Sequence, residues 1–298
     1  MDKKAIISGA SGFTGAVLTE YLVSVGYEVV AIVRPNSSHN SRIDKFGKMV
    51  TVIPIDIFED ISIESIIDKF PNCQESVFFH LAWHGDRNNT EEQLKNVDVT
   101  LEMVDLANAL GCKRFICTGS QAEYGPIRED IITEDTLTSP ITAYGEAKVA
   151  ACQLSKVKAD QLGLEWIWGR IFSLIGKYEP RGRMLPDLIY KLKNNEDVFL
   201  SSCKQNWDYL DVRDASEALI ALAEKGKSGE IYNIANGDYH PLKYYTELAK
   251  EMINPNGKII YGEDPNPYVS LQPSVEKIRR DTGWCPQIDF VDTLKVYE

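Results

Sequence analysis

The stretch Gly9-Ala10-Ser11-Gly12-Phe13-Thr14-Gly15 constrains this chain more than any other. It follows the short apolar run Ala5-Ile6-Ile7-Ser8. It precedes Val17, Leu18, Tyr21, Leu22 and Val25, which recur at helical spacing until Gly26 stops them. Glycines spaced G-x-x-G-x-x-G between a strand and a helix let the backbone turn tightly and approach a pyrophosphate. The charge of such a group is met by free amides and by the positive end of the helix. A glycine pattern alone is weak, but a strand–turn–helix at this place is the context a dinucleotide requires. Gly9, Ser11, Gly12, Phe13, Thr14 and Gly15 are therefore candidate cofactor residues.

Further apolar runs alternate with helical patterns up to about residue 170. Val29–Val33, Val50–Ile53, Val77–Leu81, Phe115–Cys117 and Trp166–Trp168 read as strands. Ile61–Phe70, about Glu91–Leu110 and Tyr144–Leu162 read as helices. That alternation predicts an α/β fold, a doubly wound parallel sheet with helices on both faces. Residues 1–170 are expected to form the dinucleotide-binding domain. Residues 171–298, broken often by proline and glycine, are expected to form mainly a smaller substrate-binding lobe, the chain weaving between the two. Trp166, Trp168, Tyr244 and Tyr245 are best read as packing.

Charge narrows the partners. Lys plus Arg number 32 against 44 Asp plus Glu, a formal net charge of -12. Such a surface repels nucleic acid and anionic lipid, while a few cations inside a cleft would still admit an anionic small molecule. The six cysteines, at 73, 112, 117, 152, 203 and 285, form no C-x-x-C pair. They read as reduced core thiols of a cytoplasmic protein with no metal site. Neither a signal peptide nor a membrane span is expected from the apolar pattern.

The end of the second strand bears on which dinucleotide is used. An acid there would bond the adenosine ribose hydroxyl, whereas a base can meet a 2'-phosphate. Arg34 is followed by Pro35-Asn36-Ser37-Ser38, with Arg42 nearby and no carboxylate before Asp44. This favours NADP(H) over NAD(H). Asp56 and Ile57, after the third strand, could meet the adenine, or Asp56 could be a turn acid.

Tyr144 and Lys148 stand at i and i+4, on one face of a helix. A free phenol titrates at about pH 10. A neighbouring cation favours the phenolate, which makes a usable acid or base near neutrality. Ser120, after the fifth strand, could hydrogen-bond the reacting oxygen. A Tyr–Lys pair alone occurs by chance in many helices, and the glycine turn upstream gives it weight.

The chain resembles the extended short-chain dehydrogenases/reductases, in the branch of sugar-nucleotide epimerases, dehydratases and reductases. The resemblance is carried by Gly9 to Gly15, Asp56-Ile57, His80-Leu81-Ala82, Asn96-Val97, Gly119 to Gly125, Tyr144 with Lys148, and Arg170 to Ser173. Tyr209 to Asp214 and Thr282 to Pro286 match as well. It implies a modified Rossmann fold, with Ser120, Tyr144 and Lys148 as catalytic residues and Lys148 on the nicotinamide ribose. Leu81, Ala82, Trp83 and Ile171 would contact cofactor, and Ser120, Gln121, Ser173, Arg183 and Met184 a nucleotide-diphosphate sugar. It also implies a homodimer formed through the long helix before the fifth strand and the helix of the Tyr–Lys pair.

Three departures narrow the chemistry. Dehydratases of the family resemble Thr-Asp-Glu where this chain has Ser120-Gln121-Ala122, its acid displaced to Glu123. No cysteine stands in that stretch as an extra base. Trp207 precedes Asp208-Tyr209 where many 4-epimerases carry an arginine, which leaves diphosphate binding to Arg181 or Arg183 unless these are surface charges. The expected reaction is NADPH-dependent reduction of the C4 ketone of a nucleotide-linked 4-keto-6-deoxy-hexose, with Tyr144 as proton donor. The alternatives are an NAD-dependent nucleotide-sugar 4-epimerase and a non-catalytic NADP-sensing binding protein. His84, at the cleft edge, reads as a packed or exposed histidine.

Overall fold

The apolar runs become parallel strands. The computed structural model describes residues 3–59, 62–127 and 130–297. The strands are β1 Lys4–Ser8, β2 Glu28–Val33, β3 Val50–Pro54, β4 Val77–His80, β5 Arg114–Ser120, β6 Glu165–Ile171, β7 Ser173–Ile175, β8 Val198–Leu200, β9 Asn206–Trp207, β10 Tyr209–Asp211, β11 Glu230–Ile234, β12 His240–Pro241 and β13 Ile259–Tyr261. The helices are α1 Phe13–Ser24, α2 Ser41–Asp44, α3 Ile63–Ile66, α4 Thr90–Ala109, α5 Ala143–Leu162, α6 Met184–Lys193, α7 Val212–Lys225, α8 Leu242–Ile253, α9 Glu276–Thr282 and α10 Phe290–Leu294.

One seven-stranded sheet runs β3-β2-β1-β4-β5-β6-β11, parallel throughout. This is a doubly wound Rossmann-type sheet. Its middle strands are apolar on both faces because helices cover both. Ala5, Ile7 and Ile116 pack on one side with Leu18 and Leu22 of α1 and Leu219 of α7. Ile6, Phe78 and Phe115 pack on the other with Val104 of α4 and Ala151 of α5. Trp166 and Trp168 are fully buried and stacked, centroids 6.1 Å apart. Truncating either would cost about 3–5 kcal/mol.

Local signals set the long helices. The Asn89 side chain accepts the amides of Glu91 and Glu92 at the start of α4. Thr142 accepts the Gly145 amide at the start of α5, and Gly163, left-handed at φ 69°, ends it. The helix expected over Ile61–Phe70 is shorter. Residue 61 lies outside the described residues, and the remainder is the single α-turn α3 followed by a 3-10 turn, Ile67–Lys69. Three isoleucines, at 63, 66 and 67, crowd this turn and disfavour its extension.

After β6 the elements are short. β7 pairs with β10, β9 with β12 and β8 with β13. A third apolar cluster holds them, including Leu188, Leu192, Tyr209, Leu242, Tyr245 and Leu294. β11 returns to the edge of the main sheet beside β6. Because the sheet is parallel, the carboxyl ends of its strands share one edge, where ligands of such folds bind.

Candidate active site

That edge opens into one large cleft of about 870 Å³. Gly9 to Gly15 form part of its wall, Ala10 excepted. Gly9 is left-handed at φ +75°, and a Cβ there would stand 2.9 Å from the Ala82 amide nitrogen. A Cβ on Gly15 would stand 2.1 Å from the Gly9 carbonyl oxygen. Only glycine fits at either place. Gly12 precedes α1 without capping it by a side chain, and no acid occupies the first turn. The positive helix end is therefore free for an anion. These residues fit the pyrophosphate of a dinucleotide.

At the end of β2, Arg34, Ser37 and His39 line the cleft. Arg42 donates to the Ser11 carbonyl at 3.2 Å and stacks on the Tyr178 ring, 4.7 Å away. Ile57 lines the cleft and Asp56 does not. The Asp56 carboxylate accepts the Phe58 amide at 3.1 Å, as a turn acid would, and Ile55 and Phe58 supply wall beside Ile57.

Leu81, Ala82 and Trp83 lie beyond β4, on the cleft wall. The Trp83 indole nitrogen donates to Gln93 Oε1 at 2.8 Å, which fixes the ring. Over that ring sits Lys148 Nζ, 3.4 Å from the centroid, donating also to the Thr118 carbonyl at 2.7 Å. Lys148 is only 3 % exposed, so its charge is held by a carbonyl and a π face. Tyr144 meets Trp83 edge-on at 6.0 Å, and its ring carries the Arg87 guanidinium at 4.3 Å. The Tyr144 amide donates to the Arg87 carbonyl at 3.0 Å, tying the loop after β4 to the start of α5.

Ser120 ends β5. Its hydroxyl donates to Gln121 Oε1 at 3.0 Å and accepts the Ala122 amide at 3.2 Å. The Glu123 carboxylate accepts the Ser120 amide at 2.8 Å and the Trp168 indole N–H at 3.0 Å. It also pairs with Arg170 at 2.7 Å. Glu123 is wholly buried and is not on the cleft wall. His80 lies under the same edge between Ser8 and Thr100, and burial pushes its imidazole down to about 3.

The cleft brings together Ser120, Gln121, Tyr144, Lys148, Ile171, Ser173, Arg183 and Met184. Arg181 is absent from its wall. It is exposed, paired with Asp187 at 2.6 Å and stacked on Tyr190, a surface charge. Sequence reasoning missed Arg87, His39 and Glu179 and left His84 aside, yet all four line the cleft. For Arg87 and His84 the usable signal was their place just beyond a parallel strand. For Glu179 there was none. Burial raises its carboxyl above the usual range, against the Tyr297 phenol and Arg183, which lower it.

The model of the NAD dependent epimerase/dehydratase family matches residues 5–235. The chain belongs to this family. It is an enzyme of the extended short-chain dehydrogenase/reductase type, NAD(P)-dependent, in the sugar-nucleotide branch. Among the chain's relatives is a CDP-abequose synthase from Salmonella muenchen, 27 % identical over 276 residues, 88 % of this chain and 85 % of that one. The fold matches RMD from Pseudomonas aeruginosa complexed with NADPH, TM-score 0.81 and 21 % identity, covering 99 % of this chain and 98 % of that one. It also matches UDP-glucuronic acid 4-epimerase from Bacillus cereus in complex with NAD, TM-score 0.85 and 19 % identity, covering 98 % and 96 %. Among the described residues no helix of this family member is long and apolar enough to cross a membrane.

Proposed function

We propose that this chain uses NADPH to reduce the C4 ketone of a nucleotide-linked 4-keto-6-deoxy-hexose. The observation that carries this reading is the end of β2. There Arg34, Ser37 and His39 line the cleft, and no carboxylate does among the described residues. This suits a 2'-phosphate rather than a free ribose hydroxyl. Across the whole cleft, Arg34, Arg87, Lys148 and Arg183 face a single described carboxylate, Glu179, in a chain of net charge -12. Cations so concentrated suit two diphosphate-bearing ligands.

Simple reduction is favoured by what lies off the wall. Glu123, the one acid near the dehydratase position, is spent on Arg170. No cysteine is among the described lining residues. When bound, reduced nicotinamide supplies hydride. In this reading Tyr144 gives a proton to the carbonyl oxygen, which leaves the C4 alcohol. Ser120 turns its hydroxyl onto that oxygen, and Lys148 keeps a positive charge 5.9 Å from the Tyr144 ring. Residues 1–170 form the dinucleotide domain and 171–298 supply mainly the substrate lobe. A homodimer through α4 and α5 would cover Leu94, Leu154 and Val157, which are exposed.

The test begins with the cofactor. Denaturation should release little dinucleotide, and titration of the apoprotein should favour NADPH over NADH. A Tyr144→Phe variant should bind NADPH normally and lose about 10²–10⁴ in kcat. The second reading is an NAD-dependent nucleotide-sugar 4-epimerase, supported by the same Ser120, Tyr144 and Lys148. Stoichiometric NAD retained through purification would select it.

A further inference from the structure

A carboxylate on the wall of an anion-binding cleft repels the ligand, so Glu179 needs a compensating role. Its side chain is 3 % exposed. Oε2 accepts from the Tyr297 phenol, whose oxygen accepts the Gly176 amide at 2.8 Å. Oε1 lies 3.7 Å from Arg183 Nη1, which also approaches the Leu174 carbonyl at 3.4 Å. The Arg183 guanidinium stands 5.4 Å from the Phe13 ring, at the mouth of the glycine turn.

The backbone between is bent and held from outside. Gly176, Tyr178 and Gly182 have φ of 123°, 71° and 88°. Lys177 pairs with Glu20 of α1 at 3.0 Å, and Tyr178 stacks on Arg42. A half-exposed arginine left free would lose rotamer entropy on gripping a phosphate. One already fixed by a buried carboxylate loses less.

We propose that Glu179 and Tyr297 are positioning residues that hold Arg183 ready to bind the diphosphate of the nucleotide sugar. The inference rests on the nucleotide-sugar reading above. It adds that a turn more than a hundred positions along the chain sets the geometry of the diphosphate cation. Glu179 acts through Arg183.

Titration calorimetry of the full chain with CDP, UDP, dTDP and GDP provides the test. The tightest of the four should bind about tenfold or more weakly to Arg183→Ala. It should bind about three- to tenfold more weakly to Glu179→Gln and to Tyr297→Phe. In an Arg183→Ala background Glu179→Gln should add nothing, a coupling that a general loosening of the lobe would not produce. NADPH affinity should stay within about twofold in Glu179→Gln and Tyr297→Phe, which leave Arg183 and the glycine turn unsubstituted. Should Glu179→Gln fail to fold, Tyr297→Phe carries the test, because it leaves the charge of Glu179 in place. Unchanged or tighter binding in Glu179→Gln, or an equal loss with and without Arg183, would overturn the proposal. If none of the four binds the wild type, the nucleotide-sugar reading itself falls and takes this proposal with it.

Discussion

Two loops of the cleft wall, 9–15 and 176–183, reach fixed shapes by opposite means. The first is built from backbone. Gly9 and Gly15 leave no room for a Cβ, and the free amides of α1 face the cleft without side-chain help. The second is built from side chains. Lys177 to Glu20, Tyr178 to Arg42, and Glu179 to Tyr297 and Arg183 hold a backbone with left-handed bends. A backbone-built loop fails when one atom is added. A side-chain-built loop should yield by degrees.

The sharpest break of that contrast is Gly15→Ala. Its Cβ would collide with the Gly9 carbonyl, at a cost of about 1–3 kcal/mol or more. NADPH affinity should fall by about two orders of magnitude or the chain should fail to fold, measured by fluorescence titration and thermal melting. Near-normal affinity would show the turn to be more compliant than its geometry says.

A middle effect comes from Asp208, a buried side chain between β9 and β10 that holds the turn after β11. It accepts the amides of Asn236 at 2.9 Å and Gly237 at 2.7 Å. Burial raises its carboxyl from 3.8 to about 7, so the folded chain keeps this proton longer than the unfolded one. Its contribution to stability is then fullest below about pH 4 and is lost as pH rises to about 7. Asp208→Asn should flatten that part of a plot of denaturant midpoint against pH. An unchanged slope would exclude Asp208 as its source.

The smallest effect belongs to the Lys177–Glu20 pair, both partners over a third exposed. Lys177→Ala should cost no more than about 1 kcal/mol in chemical denaturation and barely move NADPH affinity. A loss as large as that of Gly15→Ala would erase the contrast between the loops.

The same contrast explains what the sequence made legible. The glycine turn could be read because its physics is local: three positions at the junction of a strand and a helix decide it. Tyr144 and Lys148 were legible for a similar reason, one helical turn apart on a capped helix. The sheet followed from alternating runs, since buried parallel strands are apolar on both faces. Glu179 could not be found this way, because its partner Tyr297 is distant in sequence and the carboxylate has no motif. Asp56 was ambiguous for the converse reason. An acid after a strand suits an adenine or a turn equally, and only its bond to the Phe58 amide shows the turn. Ile63, Ile66 and Ile67 have helical spacing, but crowding held that segment to short turns.

NADPH should be consumed by a nucleotide-linked ketone. The most direct measurement mixes the purified protein with NADPH and a 4-keto-6-deoxy-hexose linked to CDP, dTDP, UDP or GDP in turn. NADPH absorbance and the sugar product are then followed together. NADPH oxidation is expected with at least one of the four, matched mole for mole by a C4 alcohol and abolished in Tyr144→Phe. Undiminished NADPH with all four, together with interconversion of C4 epimers on retained NAD, would contradict it.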